Sequence, residues 1–154
     1  PARLRQTLAA GVGLLLLAPG AVGIVAMYPH QLSYFSEIVG GLQGAERLGF
    51  ELTYWCETYH DVLPVLNSLP ERSPSVWTEE DGVLYTYQRV GMLRSDLKVG
   101  GRVVQAGPSA ADYALIQRRP SGYIPDIESM LHQQEPILVV RHHGVALAYL
   151  VKNK

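Results

Sequence analysis

The run LAAGVGLLLLAPGAVGIVAM, Leu8 to Met27, carries no charged side chain and constrains the chain more than any other stretch. At ~1.5 Å rise per residue, about 20 residues cross a hydrocarbon core of ~30 Å, so the run has the length of a transmembrane helix. Pro19 and the glycines would weaken a soluble helix. In membrane helices they are common, because neighbouring helices satisfy the freed backbone groups and small residues let helices approach. Two other readings compete. A cleaved signal peptide also begins with basic residues, here Arg3 and Arg5, but its apolar region is usually shorter and ends in small residues at a cleavage site. A buried core helix would need more surrounding chain than remains. Arg3 and Arg5 before the run, with acidic residues after it, place the N-terminus in the cytoplasm and Tyr28 onward outside, by the positive-inside rule. The chain starts at Pro1 rather than Met and reads as cut from something longer.

The expected organisation has three parts. Residues 1–27 form a transmembrane helix with a short cytoplasmic flank, 28–56 a membrane-proximal aromatic and glycine-rich segment, and 57–154 an extracytoplasmic α/β domain. The formal net charge of -1 gives no electrostatic bias toward nucleic acid. Cys56 is the single cysteine, so no intrachain disulfide can form and the domain must hold by packing alone. In YPHQLSYFSEIVGG, Tyr28 to Gly41, the rings of Tyr28, Tyr34 and Phe35 suit the lipid headgroup region. They equally suit a site packed under the domain. The pair Gly40 and Gly41 predicts an elbow between this segment and the domain, since glycine adopts positive φ without strain.

Beyond the elbow, helical and strand patterns alternate. Leu42 to Trp55 predicts a short helix ending near Gly49. Asp61 reads as an N-cap with Pro64 in the first turn, and Val62, Leu63, Leu66 and Leu69 make an apolar stripe that Pro70 stops. Ser75 to Trp77 reads as a strand. Thr78 and Asp81 resemble a capping box for a helix carrying Val83, Leu84, Tyr87 and Val90. Arg102 to Gln105 and Asp112 to Ile116 read as strands, and Ile127, Met130 and Leu131 mark an amphipathic helix after a Pro- and Gly-rich loop. Pro136 to Val140 and Val145 to Leu150 flank the turn RHHG as a closing hairpin. The fold class is α/β: one N-terminal transmembrane helix, then a small three-layer domain with a mainly parallel sheet and an antiparallel C-terminal hairpin.

Motifs for chemistry are sparse. GGLQGA, Gly40 to Ala45, lacks GxGxxG spacing and follows no strand, so its glycines serve a turn better than a phosphate. Glu57 and His60 have ExxH spacing, which on a helix puts both on one face, but a lone ExxH is little to build a metal site from. His142 and His143 would point to opposite faces of a strand and be solvated in a turn. No GxSxG, HExxH or CxxC occurs, and Cys56 has no evident partner for nucleophilic work. No catalytic, cofactor-binding or metal residue is assigned, and no cofactor is indicated.

The order of the pieces nevertheless resembles a known family. The apolar span, then YPHQLSYFSEIVGG, then GAERLGFELTYW look like the exit from the last transmembrane helix into the C-terminal domain of bacterial membrane glycosyltransferases of the dolichyl-phosphate-mannose–protein mannosyltransferase type. That pattern reads proline, an aromatic pair, Asn-Glu, an apolar pair and Gly-Gly, followed by an aromatic-Trp-Gly segment. Pro29, Tyr34, Phe35, Glu37, Ile38, Val39, Gly40, Gly41, Tyr54 and Trp55 match it. Ser36 stands where Asn is usual and Cys56 where Gly is usual, as in a divergent branch. Ala111 to Arg119 and Pro136 to Lys152 look like the family's late strand and closing hairpin, so the resemblance covers nearly the whole chain.

What the resemblance implies is a multi-pass enzyme of the GT-C type in the cytoplasmic membrane. It would move a sugar from a polyprenyl-phosphate donor to an extracytoplasmic acceptor, whose hydroxyl attacks the anomeric carbon while an acidic residue acts as base and the lipid phosphate leaves. The family's catalytic acid lies in a first extracytoplasmic loop outside this chain, so none of its catalytic residues carries over and the fragment by itself is expected to be inactive. Implied partners are the lipid bilayer, the remaining transmembrane helices of the parent protein, and the donor and acceptor through the parent active site. The competing expectations are a single-pass anchored α/β binding module without activity, and a secreted α/β enzyme behind a signal peptide.

Overall fold

The computed structural model describes residues 2–153. The N-terminal helix α1 runs Ala2–Ala26 with Pro19 inside it. Among the described residues it is the one helix long and apolar enough to cross a membrane, and none of that apolar window is buried by the rest of the chain. Leu14, Leu15, Leu16 and Leu17 all stand exposed. Length and composition of this kind suit a membrane span or a signal sequence.

The chain leaves α1 through two short 3-10 turns, Gln31–Ser33 and Glu37–Val39, and the second folds back along the helix. The Tyr34 hydroxyl donates to Glu37 Oε2 at 3.0 Å, and the pair lies on the glycine face of α1. A Cβ on Gly23 would stand 2.1 Å from Glu37 Oε1 and 2.7 Å from Tyr34 Cε2. The aromatic residues differ in burial. Tyr28 remains exposed, whereas Tyr34 and Phe35 pack with Met27, Leu42, Ala45, Leu52, Val145 and Leu147.

Gly40 and Gly41 take φ of 87° and 61°, the left-handed region that the elbow requires. Helix α2 follows, Gly41–Arg47, and Gly49 ends it at φ 75° as expected.

Helix α3 spans Tyr59–Ser68, which corrects the expected cap. Asp61 lies inside the first turn rather than before it, and Pro64 falls beyond that turn. The helix starts earlier because Tyr59 is fully buried and its hydroxyl hydrogen-bonds Thr78. Strand β1, Ser75–Thr78, leads into α4, Asp81–Arg89. Thr78 is thus the buried end of a strand, and the expected capping box with Asp81 does not form; the N-cap is Glu80, without a side-chain hydrogen bond.

The segment 102–105, expected as a strand, is part of helix α5, Arg102–Ala106. The strand lies just before it as β2, Lys98–Val99. Gly100 and Gly101, both at positive φ, turn the chain off the sheet, so Val103 packs against the far face instead of joining the ladder. Strand β3 is Tyr113–Gln117, helix α6 Pro125–Gln133, and strands β4 and β5 are Leu138–His142 and Val145–Lys152. The hairpin turn is tighter than RHHG: Arg141 and His142 belong to β4, and His143 and Gly144 alone make the turn, at φ of 48° and 82°.

The sheet order is β2-β1-β3-β5-β4, with β2, β1 and β3 parallel and the closing β5 and β4 antiparallel. Side chains alternate between faces, as a pleated strand demands. Val76, Tyr113, Leu115 and Leu150 pack with Tyr59, Val62, Leu66 and Leu84 of α3 and α4. Trp77, Ala114, Ile116 and Val151 pack on the opposite face with Ile127 and Met130 of α6. The domain is therefore a three-layer α/β unit on the end of an apolar helix.

Candidate functional site

Adjacent parallel strands β1 and β3 send their connections to opposite faces of the sheet. The chain after β1 enters α4 on one face, and the chain after β3 reaches α6 on the other. A crevice necessarily opens between two such loops, at the carboxyl ends of the strands, where open α/β sheets bind their ligands. The structure holds a cavity there of about 400 Å³, lined by Tyr54, Trp55, Cys56, Glu80, Val83 and Arg119.

Each wall has a local cause. Tyr54, Trp55 and Cys56 come from the loop before α3, held by Gln117 at the end of β3. Gln117 is buried; its Oε1 accepts from the Cys56 amide at 3.1 Å and its Nε2 donates to Cys56 Sγ at 3.4 Å. Cys56 takes φ 61°, and the loop turns there so that Tyr54 and Trp55 face solvent at 52% and 67% exposure, their rings edge-to-face with centroids 5.1 Å apart. Arg119 covers Tyr54, its guanidinium 4.5 Å from the ring centre, and pairs with Glu51 at 3.4 Å. Glu51 in turn accepts from the Ser121 amide at 3.0 Å.

The polar groups here are under tension. Burial pushes the Glu79 carboxyl above its usual range, with Glu80 and Glu51 adding to the shift against Arg119. Glu79 Oε2 is buried without a hydrogen-bond partner, and Arg119 Nε, buried 3.4 Å from Glu51 Oε2, meets it as an ion pair without hydrogen-bond geometry. Burial also pushes the Cys56 thiol up, which keeps it protonated and unsuited to nucleophilic attack.

The Glu and His residues singled out from the sequence do not line this crevice and form no metal site among the described residues. Glu57 precedes α3 and accepts from Ser33, while His60 is exposed beside Asp61, so the ExxH pair makes no shared site. His142 approaches α1, with Nε2 3.1 Å from the Ala26 carbonyl and its ring edge-to-face with buried His30. His30 pairs with Asp61 at 2.9 Å, and His143 stacks on His142 with ring centres 4.3 Å apart. Among the described residues no group of three His, Cys, Asp or Glu side chains has the arrangement to hold a metal ion. The glycine-rich run at 40–45 makes the elbow and α2. Glu79, Gln117 and Arg119 escaped the sequence reading because they meet only through strand pairing; the available clue was TYW, two large aromatics outside any apolar periodicity.

The fold and crevice define a small three-layer α/β domain carried on an apolar helix, with an open ligand-sized site at its topological switch point. Comparison with protein-family models, curated proteins and solved structures returned no match.

Proposed function

We propose that this chain is the C-terminal part of a multi-pass membrane glycosyltransferase. It supplies a final transmembrane helix and an extracytoplasmic accessory domain to an enzyme that transfers a sugar from a polyprenyl-phosphate donor to an acceptor. The N-terminus of α1 is then cytoplasmic and the residues after about 28 lie outside.

The observation that carries this reading is the backbone at Cys56. The dolichyl-phosphate-mannose–protein mannosyltransferase pattern usually has glycine at this point, and Cys56 has φ 61°, a conformation that favours glycine. The other departure fits as well. Ser36 Oγ accepts from the Ile38 amide at 3.2 Å, a capping role that the usual asparagine performs equally. Support also comes from α1, whose unburied apolar surface and glycines with open space around them, Gly11 and Gly13, leave it ready to pack against further helices.

The test is turnover of a labelled polyprenyl-phosphate sugar in membranes. The full-length open reading frame should be active, Pro1 to Lys154 alone inactive, and a full-length form lacking 28–154 impaired. Turnover by the fragment alone, or an open reading frame without further apolar spans, overturns the proposal. The second outcome would select a single-pass anchored binding module, the reading favoured by a crevice whose walls all come from this chain.

A further inference from the structure

We infer that the crevice between β1 and β3 binds a neutral pyranose unit of a glycan. Three independent features of the site converge on that chemistry.

The first is size and place. A cavity of about 400 Å³ falls within the ~300–1,000 Å³ range of small-molecule sites, and it lies where the crossing of connections forces an opening. The second is the aromatic surface. Trp55 and Tyr54 present ring area to solvent beside the opening although the domain has a large apolar core in which to bury it. The C–H face of a pyranose covers such rings while its hydroxyls stay directed outward, matching an apolar body with a polar rim. The third is the polar complement. Glu80 offers carboxylate oxygens to hydroxyl donors, and Arg119, stacked on Tyr54, offers N–H groups to hydroxyl oxygens. Glu80 in the wall and Glu51 beside Arg119 outnumber the single guanidinium, so a phosphate, uronate or other anionic group meets net repulsion. The field selects uncharged sugars.

The assignment stands on the crevice and does not depend on the glycosyltransferase reading. A domain deletion that abolishes sugar transfer, with no saccharide binding to the chain, would sink this inference and leave the other intact. Saccharide binding without any parent activity would do the reverse.

The experiment uses the whole chain in phosphatidylcholine nanodiscs, which present no sugar headgroup to compete. Mannotriose, cellotriose, chitotriose and trigalacturonate are titrated, with intrinsic tryptophan fluorescence and saturation-transfer NMR as readouts. Trp77 is buried at 6% exposure, so a change of emission on binding reports Trp55. At least one neutral trisaccharide should saturate with a dissociation constant of about 0.1–10 mM, and Tyr54→Ala or Glu80→Gln should weaken it at least about tenfold. Trp55→Ala should abolish the saturation-transfer signal, and the exposure of that side chain keeps the variant folded, as circular dichroism would verify. The inference is overturned if no neutral saccharide binds folded wild-type protein at tens of millimolar, if the three variants bind like wild type, or if trigalacturonate binds more tightly than the neutral sugars.

Discussion

Gly44→Ala tests the packing of the elbow with an unusual reversal of sign. Replacing a helix-interior glycine by alanine ordinarily stabilises by ~1 kcal/mol, because the unfolded chain loses freedom and the helix loses nothing. At Gly44 the new Cβ would stand 1.7 Å from the Val39 carbonyl oxygen and 2.6 Å from its carbon. Both obstacles are backbone, so no side-chain rotation relieves them. Relief requires moving α2 away from the turn at 37–39. That strains the Gly44 N–H bond to the Gly40 carbonyl and the Gly41 N–H bond to the Ser36 carbonyl, and draws buried Leu42 and Ala45 from their cluster. Overpacking costs ~1–3 kcal/mol and each weakened hydrogen bond ~1 kcal/mol, so a net loss of about 3 kcal/mol follows. For a domain of this size that is a fall of about 10 °C in Tm. Near-UV circular dichroism of the chain in detergent follows the melt, with Gly82→Ala in α4 as control, since nothing lies within 4 Å of its new Cβ. The control should melt at or slightly above wild type. A Gly44→Ala variant that also melts at or above wild type would refute the close contact with Val39.

Further outcomes follow from the same geometry. Gly41→Val places a β-branched residue at φ 61° and should lower stability by at least ~1–2 kcal/mol, whereas Ser36→Asn should melt within a degree or so of wild type because it keeps the cap; equal melting of the two would leave the elbow without support. Leu16→Arg at the middle of α1 should cost ~3 kcal/mol of membrane insertion, measured as the inserted fraction in a glycosylation-mapping assay, and unchanged insertion would contradict a spanning α1. Glu79→Gln should raise Tm near neutral pH. Burial raises the native carboxyl above its unfolded value, so native Glu79 holds its proton to higher pH and stability falls as pH rises through that window. The advantage of glutamine should vanish at about pH 3, well below the ordinary Glu pKa of about 4.3, where the carboxyl is protonated in both states; an advantage that persists there would assign the effect to something other than the charge.

Residue pattern alone determined the apolar helix, because an uncharged run as long as a bilayer is thick needs no partner to be recognised. It determined β1, β3, α6 and β5 as well, since local periodicity and flanking turn residues decide elements of that kind. The glycine pair at 40 and 41 was legible for the same local reason: positive φ is a property of one residue at a time. Other outcomes belonged to tertiary structure. Whether 102–105 becomes strand or helix depends on whether Gly100 and Gly101 turn the chain off the sheet, and the start of α3 depends on Tyr59 reaching Thr78 across the core. The crevice is the clearest case. Tyr54, Glu80 and Arg119 are remote in sequence and individually ordinary, and they become a site only because parallel pairing of β1 with β3 sends two loops to opposite faces and leaves a gap between them.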